Sequence, residues 1–381
     1  MRPAWAREAK AAGGRSGANC LVYSLILVGI VFLLGAVPAE AAPASGALPP
    51  LCPPLYQLRH PELCPAAGPG GYAAQLVSAG LPYRLPALEL ARVYAYRGLT
   101  PDAYGHVITD TPPVYRHPFE ALAGLPPLYT FEKGFVYVSL RGSVVVSGVT
   151  FYEINAGEFM LGRDFEVVRP SSYSGSHFAS PPASAVGWLI DNVQLSATPG
   201  QPPDPNMPFA GRYQPIQVFE TQRVGDWNWY LIGPGQWLEQ RNVALVQPAP
   251  PPGASGNVIA VDTYEQTLGV YRNGGLVFAT LISSGSRAFP TRPGTFPIRA
   301  KLTHGKMTGA YMDDRRDYYY LEDVPWILYY DDQRALHGAY WHDHFGLRGS
   351  HGCVNLAPLD ARWLYDFAHE GDTVVVFAST P

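Results

Sequence analysis

Proline and glycine punctuate this chain more densely than charge does. There are 38 prolines and 39 glycines in 381 residues, and only 15% of positions are charged. Proline fixes φ and removes a backbone donor, so it is poorly tolerated inside helices and central strands. Glycine supplies left-handed turns. A chain punctuated this often is expected to fold as many short strands joined by turns. Apolar residues make up 47%, enough to fill packed cores, which excludes wholesale disorder. The length suits two or three domains of roughly 100–200 residues. A net charge of -4 with no long basic run leaves no concentrated basic surface for nucleic acid.

The densest proline runs are Pro199–Pro208 and Gln247–Ser255. They read as semi-rigid spacers that few contacts should cross, so a fragment from about Gly256 is expected to fold alone. The chain also contains a repeat. "FYEINAGEFMLGRDFEVVRP" (151–170) aligns without gaps to "WYLIGPGQWLEQRNVALVQP" (229–248), with six of 20 positions identical. Phe151/Trp229 and Phe159/Trp237 exchange one aromatic for another. The unit reads as strand, glycine turn, strand, then a short strand ending at proline. Such units suggest small β-barrels. They resemble bacterial SH3-like domains, placed at residues 87–198 and 209–248. Their tyrosines and tryptophans are a possible contact for wall glycan, although such rings often fill barrel cores.

From Asn257 the pattern changes. "NVIAVD" alternates as a strand, and two further strands flank Arg272-Asn273-Gly274-Gly275, where Asn-Gly is a strong hairpin signal. "FPTRPGTFPI" adds a turn and a strand, and "DTVVVFAS" closes the chain as a strand. One helix is predicted over 357–371, with Leu359, Trp363, Leu364 and Phe367 at helical spacing and Gly371 as its stop. Residues 257–381 are therefore a mostly β domain with one main helix.

The N-terminus reads as an export segment or membrane anchor over residues 1–42. Arg2, Arg7, Lys10 and Arg15 precede the uncharged run Cys20–Val37, and Ala39 and Ala41 suit signal peptidase. Positive charge stays inside, so the bulk of the chain is expected outside the cytoplasm, in the cell envelope. Only this segment should meet a membrane. Residues 43–86 form a proline- and cysteine-rich neck, where Cys52 and Cys64 could close a disulfide loop. Cys353 is then the odd cysteine of an exported chain, a candidate reactive thiol.

Cys353 sits in "ALHGAYWHDHFGLRGSHGCVNL", with His337, His342, His344 and His351 close by. His342 and His344 with His351 or Cys353 offer metal ligands, but the paired spacings of a structural zinc site are absent. A buried structural cysteine is the second alternative. Nucleophilic catalysis is the third: a thiolate needs a histidine to move protons and fixed N–H donors for the oxyanion. The predicted helix just downstream would lower the thiol pKa through its N-terminus. Gly352 would let its own N–H and that of Cys353 converge. No cofactor or metal is called for.

His337, then residues 338–349, then Ser350-His351-Gly352-Cys353-Val354-Asn355 resembles the signature of YkuD-type L,D-transpeptidases, which cross-link peptidoglycan. "NVIAVD", "LISSG", "TRPGTFPI" and "DVPWILYY" add to the likeness over residues 257–381. The resemblance implies a β-rich catalytic domain, Cys353 as nucleophile, His337 as base, and the Gly338 carbonyl as the group that orients His337. It implies that His351 and Gly352 shape the site, and that Ser350, Asn355, Trp341, Tyr319 and Tyr320 serve substrate binding. Peptidoglycan stem peptides would be the partner. Histidine precedes cysteine here, unlike papain-like peptidases. Sortases share the order, but their arginine lies downstream, and Arg362 falls inside the predicted helix. The implied activity is 3→3 cross-linking through a cysteine thioester. The same acyl-enzyme would serve an L,D-carboxypeptidase or protein-to-wall tethering. A non-catalytic wall-binding protein is the alternative of a different class.

Overall fold

Asn273 and Gly274 have φ of 52° and 81°, the left-handed pair that a type I′ turn requires. They join strands Thr267–Arg272 and Gly275–Ser283, with Arg272 opposite Gly275, as the sequence leads one to expect. The computed structural model describes residues 75–82 and 85–379. The N-terminal apolar run, Cys52, Cys64 and most of the neck lie outside the described residues. Among the described residues, no helix is long and apolar enough to cross a membrane.

The hairpin is the middle of a larger sheet. Val258–Asp262 pairs antiparallel with Thr267–Arg272 and parallel with the last strand, Thr373–Phe377. Gly294–Pro297 covers that edge. On the other side the sheet runs through Val354–Leu356 and Arg334–Gly338 to the long strand Tyr319–Asp331. Val261, Val270, Ile282, Leu336 and Val374 form the core beneath, with Ala361 and Leu364 of the helix packed on it. The helix spans Pro358–Phe367, a turn shorter than predicted. Lys301 Nζ explains the stop, donating to the Tyr365 carbonyl at 2.6 Å and to that of Ala368. A cation there satisfies carbonyls that a further helical turn would have used.

The sequence repeat is a repeat of structure. Val149–Asn155, Glu158–Leu161 and a 3₁₀ turn Gly162–Asp164 lead into Phe165–Val167. Trp227–Gly233, Gln236–Glu239 and Gln240–Asn242 lead likewise into Val243–Val246. Gly157 and Gly235 make the turns at φ of 74° and 61°. Each copy adds a preceding strand, Gly142–Val146 or Glu220–Val224. Each also has a second group of three paired strands, which in the first copy continues the large sheet. Ala103–Val107 lies between Phe135–Leu140 and Phe165–Val167 in one. Val186–Leu189 lies between Pro215–Gln217 and Val243–Val246 in the other.

Two expectations need correction. The run Pro199–Pro208 does not divide the copies. It loops between Val193–Gln194 and Phe209–Ala210, which pair with each other, and the second copy takes its central strand Val186–Leu189 from before it. The repeated aromatics also point inward: Phe151, Phe159, Trp229 and Trp237 are all buried. Covered to this extent, they cannot stack on sugar.

The run Gln247–Ser255 is likewise crossed by many contacts. Trp188, 1% exposed, shares a core with Val258, Leu276 and Phe345. Leu245 N donates to Glu265 at 2.9 Å, and Tyr271 Oη to the Gln247 carbonyl at 2.8 Å. Ser176–His177 adds to the strand Gly275–Ser283. Phe135–Leu140 of the first copy pairs in parallel with Tyr319–Leu321. An isolated C-terminal fragment would expose these apolar faces and an open sheet edge. Trp188→Ala should therefore cost about 3–5 kcal/mol. Urea denaturation of the whole chain should shift as one transition that includes the C-terminal domain. A separate, shifted transition for the repeats alone would mean that they fold independently.

Candidate active site

Arg334–Gly338 and Val354–Leu356 are parallel neighbours, with His337 opposite Asn355. That register brings together two segments separated by the loop 339–353. Cys353 stands at the entry to the second strand.

The turn before Cys353 is fixed from several sides. Ser350 N and Gly349 N donate to the Ser284 carbonyl at 3.1 and 2.9 Å, and Ser286 N donates to the Ser350 carbonyl at 2.8 Å. Thr291 Oγ1 accepts from Gly285 N at 2.8 Å and donates to the Gly352 carbonyl at 3.0 Å. Gly352 has φ of 114°, and a Cβ there would lie 3.1 Å from Arg334 Nε. Only glycine suits that backbone. Ser350 Oγ accepts from Gly352 N at 3.1 Å and donates to the Cys353 carbonyl. The Gly352 N–H is thus engaged within the turn, contrary to the expectation that it converges with the Cys353 N–H on an oxyanion.

His337 is 2% exposed. Its Nδ1 lies 3.3 Å from the Gly338 carbonyl. A carbonyl only accepts, so Nδ1 carries the hydrogen and Nε2 keeps its lone pair. Burial pushes the imidazole pKa down to about 4, and the Gly338 contact only partly offsets this. Cys353 is half-buried, with Sγ 4.0 Å from the Gln333 carbonyl. Burial pushes its thiol pKa up, against smaller lowering effects from the Ala335 backbone and Arg334. The expected help from a helix N-terminus is absent because Val354–Leu356 intervenes before the helix starts at Pro358. Both shifts favour the uncharged form, thiol at Cys353 and imidazole at His337.

Both residues line one cleft of about 810 Å³. Ser350, His351, Asn355, Tyr319 and Trp341 line it too. His351 stacks on Tyr319 and Phe289, at centroid distances of 5.3 and 4.6 Å. Trp341 lies 5.7 Å from the His337 ring. Tyr320 is not brought to the cleft. It points to the opposite face of its strand, packs on Phe131 and donates to Glu322 at 2.7 Å. Alternation along the strand separates it from Tyr319.

Of the other histidines, His342 has a definite partner. His344 N donates to its Nδ1 at 3.2 Å, and the Asn355 amide lies 3.0 Å from its Nε2. With Nδ1 accepting, Nε2 carries the hydrogen, and Asn355 must present its oxygen. Burial lowers the pKa of His342 to about 4. Among the described residues, no three His, Cys, Asp or Glu side chains converge as a metal site. Sequence reasoning missed Thr291, although the stretch that holds it was singled out. It also missed Gly134 and Phe135, which reach the cleft from the first repeat copy.

Residues 256–376 match the family model of YkuD, the L,D-transpeptidase catalytic domain. A curated relative, L,D-transpeptidase 2 of Mycobacterium tuberculosis (strain CDC 1551 / Oshkosh), is 29% identical over 128 residues. That match spans 31% of this chain and 30% of the relative's length. An L,D-transpeptidase structure from Stackebrandtia nassauensis is 31% identical, covering 34% of this chain and 58% of that one, at a TM-score of 0.26. One from Mycobacterium smegmatis is 19% identical, covering 56% of this chain and 89% of that one, at a TM-score of 0.31.

Two outcomes follow from the two pKa shifts and the His342 contact. Alkylation of Cys353 by iodoacetamide should keep accelerating through the ordinary thiol value of 9.0, because the thiolate forms late. A rate already level near neutral pH would mean a preformed ion pair. His342→Ala should lower stability by about 1 kcal/mol through loss of a partly buried hydrogen bond, whereas exposed His344→Ala should stay within about 0.5 kcal/mol. Equal losses in chemical denaturation would contradict the assignment.

Proposed function

We propose that this chain is an exported peptidoglycan L,D-transpeptidase in which Cys353 is the nucleophile and His337 the base. The observation that carries the reading is the His337–Gly338 contact, which leaves Nε2 free to accept in the cleft that Cys353 also lines. The family match over residues 256–376 supports the reaction class.

The substrate would be a tetrapeptide stem, cut after the L-centre of its third residue. Cys353 Sγ bonds to that carbonyl carbon, and its proton passes to His337 Nε2. A raised thiol pKa beside a lowered imidazole pKa makes this transfer part of the attack itself. Tyr319 is the candidate oxyanion donor. Burial raises its pKa, so it keeps its proton, and it lines the same cleft. The carbon–nitrogen bond then breaks, the proton goes to the departing D-alanine amine, and a thioester remains. A neighbouring stem's amine attacks the thioester, gives its proton back through His337, and leaves a 3→3 cross-link and free thiol. If water attacks instead, the product is a tripeptide and the enzyme is an L,D-carboxypeptidase. If the amine of another protein attacks, that protein becomes tethered to the wall.

The two repeat copies are proposed to be SH3-like barrels that carry the catalytic domain in the envelope. The segment 20–37 would direct export. With the aromatics of the aligned repeat buried, any glycan contact by the copies falls to other exposed side chains.

Incubation with a carbapenem and intact-mass measurement tests the nucleophile. The wild type should gain one acyl adduct and Cys353→Ala none. His337→Gln should acylate about 10²–10⁴-fold more slowly. An adduct on the Cys353→Ala protein would sink the assignment. Muropeptide analysis of digested wall should then find 3→3 dimers. Shortened stems alone would make it the carboxypeptidase.

A further inference from the structure

One wall of the cleft comes from outside the domain that holds Cys353 and His337. Gly134 and Phe135 of the first repeat copy line it alongside Leu321 and Met307. Phe135 is 43% exposed, so its ring is presented, not packed away.

The placement is built. Phe135 N donates to the Tyr318 carbonyl at 2.9 Å, and Phe135 stands opposite Tyr319 in the parallel ladder. Arg315 grips Glu132 through two hydrogen bonds of 2.7 and 2.8 Å, a bidentate geometry that fixes orientation. Behind Phe135, Tyr137 lies at 4.8 Å and His106 stacks on Tyr137 at 4.4 Å. Tyr137 Oη donates to the Trp341 carbonyl at 3.3 Å. Deeper still, Tyr104 stacks on Tyr340 at 3.5 Å. The Phe135 ring is therefore the exposed end of an aromatic joint whose other end packs under the loop that bears Trp341. An apolar ring held this rigidly costs little further entropy when a ligand covers it.

We propose that Phe135 is a specificity-determining residue of the site, and that it covers the apolar part of the peptide stem bound above Cys353. The first repeat copy is then part of the substrate site. This rests on the transpeptidase reading. The contact lies away from the reacting atoms, so it strengthens binding of substrate and transition state alike. It appears in KM and leaves kcat unchanged.

The test uses the full chain with a soluble tetrapeptide lacking sugar. Phe135→Ala should raise KM about tenfold, the order expected for losing part of an aromatic contact. Its kcat and its rate of carbapenem acylation should match the wild type, and Phe135→Trp should restore KM. Tyr94→Ala, an exposed aromatic of the same copy (78%) that does not line the cleft, should change nothing. A retained melting temperature checks the fold. An unchanged KM in Phe135→Ala overturns the proposal, as does a KM effect confined to substrates that carry the disaccharide. A fall in kcat with KM unchanged also overturns it, since the ring would then act on the chemistry. Failure of the underlying reading looks different: the wild type itself would form no acyl adduct.

Discussion

The parallel register of Arg334–Gly338 on Val354–Leu356 is the constraint on which the site depends. It places His337 opposite Asn355 and leaves Cys353 at the strand's entry. A one-residue slip would turn His337 to the other face of the sheet. The slip is resisted by Leu336 and Val354, both buried in the core on the face opposite the cleft. Gly338 adds a steric lock, because a Cβ there would lie 3.0 Å from Pro325 Cγ. The same residue supplies the carbonyl that fixes the His337 tautomer, so a single glycine serves both packing and chemistry.

The second constraint is the joint between the first repeat copy and the long strand. Tyr319–Asp331 is not a regular strand. Asp323 and Trp326 have φ of 43° and 59°, values that cost energy without a glycine. Polar contacts hold the irregularity. Ser139 N donates to Glu322 at 2.8 Å, Ser139 Oγ to Asp323 at 2.6 Å, and Tyr104 Oη to the Asp323 carbonyl at 2.7 Å. Burial raises the pKa of Glu322, although its hydrogen bonds to Tyr320 and Ser139 partly offset this. The bulged strand and its partner stabilise each other, which is why the repeat cannot be read as a detachable bead.

Legibility followed sequence distance. The Asn273-Gly274 hairpin and the helix from Pro358 are written in contiguous residues, and both formed where expected but for the last turn of the helix. The repeat was legible because two copies could be compared. The joint was not legible. Ser139 and Glu322 are 183 residues apart, and a parallel ladder between distant strands leaves no local signature. The positive φ of Asp323 and Trp326 is likewise imposed by tertiary contacts. Tyr320 was misplaced for a simpler reason. Three consecutive tyrosines in a strand alternate faces, and composition alone does not say which face is the cleft. Cys353 was expected beside a helix start, and the short strand Val354–Leu356 was the element missed.

The two repeat copies share topology, yet they attach in different ways. Phe135–Leu140 extends the catalytic sheet edge to edge. Its counterpart Pro215–Gln217 pairs within its own copy, with Val186–Leu189. A proline at its first position removes a donor that edge pairing would use. The second copy attaches through side chains instead. Tyr213 Oη contacts the Asp343 carboxylate at 3.0 Å and accepts from Phe345 N at 3.3 Å. Ser171, from the segment that links the copies, donates to the same carboxylate. These contacts hold the loop on which His342 reaches Asn355. One copy thus fixes a wall of the cleft by backbone pairing, and the other helps to hold a loop that also lines the cleft by side-chain hydrogen bonds. The three-residue backbone ladder opens as a unit, whereas a few side-chain bonds open one at a time at a cost of about 1 kcal/mol each. Phe345 is buried in the core and Gly346 N donates to the Ile282 carbonyl at 2.8 Å, so if this boundary yields to admit a bulky stem, the movement falls to residues 342–344.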